Sequence, residues 1–196
     1  MTRSGLQPIR ATDDVDIIVE VASRVRYYAF AEKLRELGFH EDVDAKILCR
    51  WRIDGITVDA MPTDTSILGF SNRWYASALE AATELELEQG TFIRLITVPH
   101  FLATKMEAFN GRGHGDFLIS HDINDMLMVI LGRQEIVDEV SNASPELRAF
   151  IVNQFAAWLT NHDFMDAISG HLYPDEISQS HQGTITQRIR AIAALK

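Results

Sequence analysis

The first clear pattern along the chain is an alternation of polar and apolar positions, followed by a helical repeat. Residues 14–21 alternate at their start and are rich in β-branched side chains, which predicts a strand. Over residues 24–37 apolar side chains recur at helical spacing, and Gly38 then supplies a C-terminal helix signal. The residues before Asp14 have no clear period and are predicted to form a loop. The pattern therefore predicts a loop, a strand and a helix in that order.

A hairpin is predicted next. Residues 46–53 and 56–61 flank Asp54-Gly55, a pair that suits a tight type I′ turn, and Pro62 ends the second strand. Because the loop between the two strands has only two residues, the strands are expected to be antiparallel neighbours.

Helical periodicity dominates the rest of the chain. Residues 66–88 have a mainly helical pattern with solvated acidic side chains, and residues 92–98 form a β-rich run that Pro99 closes. Further helices are predicted over residues 101–110, 122–131, 133–141, 145–161 and 175–195. We interpret the helical tail from Ser144 as core; a homodimer or partner surface is the alternative.

These elements predict an α+β fold. Residues 1–99 are expected to form a small mixed β-sheet with flanking helices, and residues 100–196 a helical part packed on it. The length of 196 residues suits one domain or a domain with a helical extension.

Composition narrows the class of protein. The single Cys49 excludes a disulfide framework and a cysteine-rich metal site, and no apolar run is long enough for a membrane helix, so a cytoplasmic protein is expected. The formal net charge of −10 argues against a broad basic surface for nucleic acid, but it permits an acidic pocket for a divalent metal.

Three aspartates are candidate metal ligands. Asp14 and Asp16 lie two apart on a predicted strand, so both carboxylates are expected on one face, with Cα atoms about 6.5–7 Å apart. Asp59 lies in the second strand of the hairpin, and it can join them if that strand is next to the strand that carries Asp14 and Asp16. Such hard oxygen ligands suit Mg²⁺ or Mn²⁺ shared with phosphate oxygens. Solvated or capping aspartates are the alternative interpretation.

The same residues carry a family resemblance. The segment RATDDVDIIV at residues 10–19 resembles the R-x-T-x-D-x-D signature of the AbiEii-type nucleotidyltransferases, which belong to the DNA polymerase β-like nucleotidyltransferase superfamily. Asp59 between two apolar residues matches the third aspartate of that pattern, and residues 101–109 match the lysine helix of the family. Residues 112–125 resemble the segment that follows this helix. The similarity covers roughly residues 10–133.

The resemblance implies transfer of a nucleoside monophosphate from an NTP to a hydroxyl of an RNA, a protein or a small molecule. Asp14 and Asp16 would hold Mg²⁺ or Mn²⁺, and Asp59 would act as base or third metal ligand. Lys105 would contact phosphate, and Asp122 or Asp125 would orient it or line the site. The nucleotide-binding residues implied are Arg10, Thr12, Lys105, Arg112, Asp122 and Asp125. Many relatives are toxins of toxin–antitoxin pairs, so an antitoxin is an expected partner.

One departure from the family pattern leaves a second function open. The phosphate-binding Gly-Gly or Gly-Ser of the family precedes the first aspartate by about ten residues, where it would cradle a triphosphate with backbone N–H groups. Here Ser4-Gly5 has the reverse order and lies closer. We expect a start upstream of Met1. The alternative is a degenerate, non-catalytic protein that uses the fold to bind other proteins.

The basic and sulfur-containing residues of the hairpin have two interpretations each. Arg50 and Arg52 share one face of their predicted strand, either toward a substrate or toward solvent. Cys49 is expected to be a small core residue rather than a nucleophile.

Overall fold

The chain divides into two compact units, Arg10–Ala81 and a second unit that includes Ala82–Lys196. The sequence pattern instead places a boundary near residue 99. The computed structural model describes residues 12, 14–21, 23–45, 49–64, 67, 72–88, 90–112 and 115–196.

The first unit is built on a mixed sheet of four strands in the order β1-β4-β3-β2. β1 runs parallel to β4, and the other neighbouring pairs are antiparallel. The predicted strand, helix and hairpin are confirmed, although residues 46–48 of the hairpin lie outside the described residues. The elements are β1 (Asp14–Val19), α1 (Arg24–Glu36), β2 (His40–Glu41), β3 (Arg50–Ile53), β4 (Ile56–Pro62) and α2 (Tyr75–Glu80).

The turn between β3 and β4 determines their register. Asp54 and Gly55 both have positive φ, 48° and 82°, as a type I′ turn requires. Ile53 therefore pairs with Ile56, and counting outward along both strands places Arg50 opposite Asp59.

α1 covers one face of this sheet. Ser23 caps its start by accepting a hydrogen bond from the backbone N–H of Arg26, and Gly38, at φ 91°, follows its end. Ala31 and Leu34 on the inner side of α1 pack with sheet residues Trp51 and Ala60 in one buried cluster. The side chains that alternate with these residues along the strands lie on the opposite face of the sheet, which α1 does not cover.

The second unit is mainly helical. Its strands β5 and β6 form a separate antiparallel pair, and α3 packs against α4 and α6. An aromatic cluster fills part of its interior, with Trp158 5.5 Å from Phe109 and 5.3 Å from Phe164 between ring centroids. The elements are β5 (Thr83–Glu86), β6 (Phe92–Leu95), α3 (Val98–Arg112), α4 (His121–Gly132), α5 (Ile136–Ser141), α6 (Pro145–Leu159), α7 (His162–Gly170), α8 (Glu176–Ser180) and α9 (Gln182–Ala193).

The α+β class with a helical C-terminal half is confirmed, but the helix predicted over residues 66–88 is wrong in its second half. α2 ends at Glu80, and β5 follows. The reason is an alternation of period two in residues 83–88, which pairs with the β-rich run that begins at Phe92. The acidic side chains of this segment are exposed, as predicted.

The helices also differ from the prediction in three further respects: where one begins, one additional helix, and one predicted helix that is divided. α3 begins at Val98, because Pro99 fits the first turn of a helix, where its missing N–H has no intrahelical partner. α7 was not predicted; Asn161 caps it by accepting from the backbone N–H of Asp163 at 2.8 Å. The helix predicted over residues 175–195 is two helices separated by His181.

Within the described part of the chain, no helix is long and apolar enough to cross a membrane.

A buried histidine at the start of α3 predicts an effect of pH on stability. Burial lowers the pKa of His100 below 6.5, and its Nδ1 lies 2.7 Å from the hydroxyl of Thr97. The unfolded chain therefore binds a proton at a higher pH than the folded chain, so stability present above pH 6.5 is lost as the pH falls. We expect His100→Gln to reduce the acid dependence of the free energy of unfolding, measured by urea denaturation at pH 8 and pH 5.5. His162→Gln, which removes an exposed histidine, is the control; equal dependence in wild type and His100→Gln contradicts the prediction.

Candidate functional site

The three candidate aspartates lie on one face of the four-stranded sheet. Asp16 of β1 is in register with Asp59 of β4, and Asp14 is in register with Thr57. Ile17 and Val58, at alternating positions on the same strands, pack with α1 on the other side. The condition for Asp59 to join Asp14 and Asp16 is therefore met, because its strand lies beside theirs. We call this surface the aspartate face, defined by Asp14, Asp16 and Asp59.

The aspartates of this face differ in exposure. Asp14 and Asp16 are exposed near the start of β1, whereas Asp59 is buried in the middle of β4. The hydroxyl of Thr12 donates a short hydrogen bond to the Asp14 carboxylate. Arg10, the other residue of the signature, lies outside the described residues. A ligand from solvent would therefore meet Asp14 and Asp16 first.

Arg50 is a residue of this face that was not assigned to the site from the sequence. Its Nε donates to Oδ1 of Asp59 at 2.8 Å and its Nη2 donates to Oδ2 at 2.7 Å, so both carboxylate oxygens are occupied. The Asp59 side chain is 5% exposed and that of Arg50 is 30% exposed. The hydrogen bond to Asp59 raises the pKa of Arg50, and burial opposes this only in part.

The position of Arg50 opposite Asp59 can be predicted from the turn between β3 and β4. A two-residue type I′ turn at Asp54-Gly55 requires Arg50 and Asp59 to face each other, so the hairpin register alone predicts this ion pair. Arg52, two residues further along the same face, pairs instead with Asp42, with Nε 2.8 Å from Oδ2.

Cys49 next to Arg50 packs as a core residue. The thiol is buried, and its sulfur lies 3.5 Å from the sulfur of Met61. Burial, followed by the negative charge of Asp59, raises its pKa to about 11. Its thiolate fraction is therefore negligible at neutral pH, and the expected core role is confirmed.

The donor chemistry of the aspartate face suits a hard divalent cation, since all three side chains are carboxylates. Across the described ranges, however, no group of three or more His, Cys, Asp or Glu side chains has the spacing to hold a metal ion. Asp14 and Asp16 fit the chemistry as exposed carboxylates two apart on one strand. Each oxygen of Asp59 accepts a hydrogen bond from Arg50 and the side chain is 5% exposed, so Asp59 is less open to a cation than Asp14 and Asp16 in this arrangement.

A second polar cluster lies within the helical unit. Nζ of Lys105 on α3 donates to Oδ2 of Asp125 at 2.7 Å and lies 3.3 Å from Oδ1 of Asp122. The side chains of Lys105, Asp122 and Asp125 are 20%, 9% and 25% exposed. The sequence-predicted Lys105, Asp122 and Asp125 are therefore brought together.

Local sequence explains how α4 presents these two carboxylates. The hydroxyl of Ser120 accepts from the backbone N–H of Ile123, which caps the helix and places Asp122 in its first turn. Asp125 follows three residues later on the same side. Burial disfavours the charged form of Lys105, but hydrogen bonding to Asp125 and the charges of both aspartates outweigh it, so its pKa is raised. Arg112 is the last residue of α3.

Comparisons with known proteins add no relative to this picture. No family model matches the chain, and no curated protein is similar enough to be identified as a relative.

Proposed function

We propose that the chain is a metal-dependent nucleotidyltransferase of the cytoplasm, which transfers a nucleoside monophosphate from an NTP to a hydroxyl of an RNA, a protein or a small molecule. The observation that carries the proposal is the register of β1 and β4. It brings Asp16 beside Asp59 on the sheet face opposite α1, so the two aspartates of the R-x-T-x-D-x-D signature and the third aspartate of the family pattern share one face.

Each residue of the aspartate face has a role in this proposal. Asp14 and Asp16 would hold Mg²⁺ or Mn²⁺, which when bound neutralises charge on phosphate oxygens. Thr12 holds the Asp14 carboxylate by a hydrogen bond. Asp59 is the candidate base for the acceptor hydroxyl, or a third ligand, once Arg50 leaves its oxygens.

The assignment of phosphate binding to Lys105 depends on the resemblance. Contacts within the helical unit support a role for Lys105 as a charged amine, because Asp125 and Asp122 hold its Nζ in place and keep it protonated. A fixed ammonium group suits a phosphate oxygen as a point charge.

If the enzyme is the toxin of a toxin–antitoxin pair, its expression alone should arrest growth and co-expression of an antitoxin should restore growth.

The test is a transfer assay with each of the four NTPs labelled at the α-phosphate. The protein is incubated with Mg²⁺ and a cell extract, and the RNA, protein and small-molecule fractions are then separated and counted. We expect label in one fraction, together with release of pyrophosphate. Release of phosphate instead indicates a hydrolase, and neither transfer nor pyrophosphate release with any NTP contradicts the proposal.

The Arg50–Asp59 ion pair favours one second candidate, a non-catalytic protein that uses the fold to bind a partner. An arginine hydrogen-bonded to both oxygens of the third aspartate compensates its charge without a metal. For this candidate we expect stable binding of a partner protein and unchanged binding when Asp14 and Asp16 are both replaced by asparagine, with no label transfer from any NTP.

A further inference from the structure

The Arg50–Asp59 ion pair has a geometry that matters for any cation at the aspartate face. The guanidinium forms two nearly equal hydrogen bonds, one to each oxygen of Asp59, at 2.8 and 2.7 Å. Such a bidentate pair uses one lone pair of each oxygen, and its positive charge would repel a cation that approached the remaining ones. The carboxylate is also 5% exposed, so solvent has little access to its remaining positions.

The charge of Arg50 reaches beyond its hydrogen-bond partner. The negative charge of Asp14 on β1 helps to raise the pKa of Arg50, as does that of Asp42. Arg50 therefore lies where its positive charge offsets part of the repulsion between carboxylates that a divalent cation would also offset.

We propose that Arg50 and a divalent cation compete for Asp59, so that Arg50 sets the affinity of the aspartate face for the cation. The inference rests on the proposed function, which supplies the cation. Arg50 is the partner that moves, because its side chain is 30% exposed whereas that of Asp59 is 5% exposed. Arg50 is therefore a positioning residue for Asp59, present in the sheet before any cation binds.

The direct test measures binding of Mn²⁺ alone, without a nucleotide. Free Mn²⁺ is followed by electron paramagnetic resonance during titration of the wild type, Arg50→Gln and Arg52→Gln. We expect Arg50→Gln to bind Mn²⁺ at least about tenfold more tightly, because a unit positive charge is removed from contact with a ligand carboxylate. Arg52→Gln is the matched control: it removes an arginine from the same strand face, but that arginine pairs with Asp42. Its affinity should equal that of the wild type.

The outcomes separate this inference from the proposed function. If wild type and Arg50→Gln bind Mn²⁺ equally, or the variant binds more weakly, competition is excluded and the proposed function stands. If neither binds Mn²⁺, both are overturned.

A second measurement uses the wild type, in case Arg50→Gln does not fold. The Nε–Hε resonance of Arg50 is assigned with Arg50→Lys and followed by NMR during a titration with Mg²⁺. We expect the resonance to move as Asp59 is released. A resonance that stays in place when Mg²⁺ saturates the protein overturns the proposal, as does an absence of any Mg²⁺ binding.

Discussion

Replacing Asp16 with asparagine is expected to lower transfer of label from an α-labelled NTP by about a thousandfold or more, because a bound metal contributes several kcal/mol to the transition state and each 1.4 kcal/mol is tenfold in rate. The amide has the size of the carboxylate but not its charge. One of the two oxygens that could bind the metal is replaced by an NH₂ group, which donates hydrogen bonds and does not bind a cation. The same result is expected for Asp14→Asn. The measurement is the initial rate of transfer at saturating NTP and Mg²⁺.

The fold should tolerate these substitutions, which makes the result interpretable. Asp14 and Asp16 are exposed, and isosteric changes at exposed positions usually alter the free energy of unfolding by less than about 0.5 kcal/mol. Glu20→Gln is the matched control, since it removes an exposed carboxylate one residue beyond β1. Unchanged transfer by both aspartate variants would show that these residues do not hold the catalytic metal.

Replacing Lys105 with methionine is expected to lower the free energy of unfolding by about 2–3 kcal/mol, since breaking a largely buried ion pair leaves its carboxylates without a counter-charge. Methionine keeps most of the volume of the lysine stem, so the loss reports charge rather than packing. The value is below that of a fully buried pair because the side chains of Lys105 and Asp125 are 20% and 25% exposed. Urea denaturation followed by circular dichroism gives the measurement.

Two further variants identify the cause of this loss. Adding Asp122→Asn and Asp125→Asn to Lys105→Met should recover part of the stability, because the uncompensated charges are then removed. Lys33→Met removes an exposed lysine from α1 and should have little effect. An equally large loss in Lys33→Met, or no recovery in the triple variant, contradicts an electrostatic cause.

Lys105→Arg separates the structural role of the cation from its proposed contact with phosphate. Arginine keeps the positive charge between Asp122 and Asp125 but changes the position and shape of the donor group. We expect this variant to keep most of the stability that Lys105→Met loses. A role in phosphate binding predicts a fall in transfer rate with little change in stability, whereas a purely structural role predicts that both stay near the wild-type values.

Much of the aspartate face could be predicted from short-range patterns. The spacing of Asp14 and Asp16 predicts one strand face, and the Asp54-Gly55 turn determines which residue of β3 lies opposite Asp59. Strand-face alternation alone does not indicate the Arg50–Asp59 pair, which follows only when the register is counted from the turn. β5 differs from the prediction because its alternation is only a few residues long and directly follows a segment with a helical pattern.

Other features of the two units could not be predicted in this way. The hydrophobic pattern shows that α3 and α4 have buried sides. Lys105 is far along the chain from its two aspartates, so the packing of the two helices determines whether these side chains meet. The two hydrogen bonds that Arg50 donates to Asp59 depend on the geometry of both side chains, and neither residue spacing nor the family resemblance contains that information.

The sequence by itself determined the local elements of this protein, because alternation, caps and turn residues act over a few neighbouring positions. It also determined that Asp14 and Asp16 share a face and that the hairpin has one register. Only the tertiary structure decided that β4 lies parallel to β1 with Asp16 beside Asp59, and that Lys105 lies between two aspartates. Those contacts join residues far apart in sequence, so they form only where packing of the whole unit brings them together.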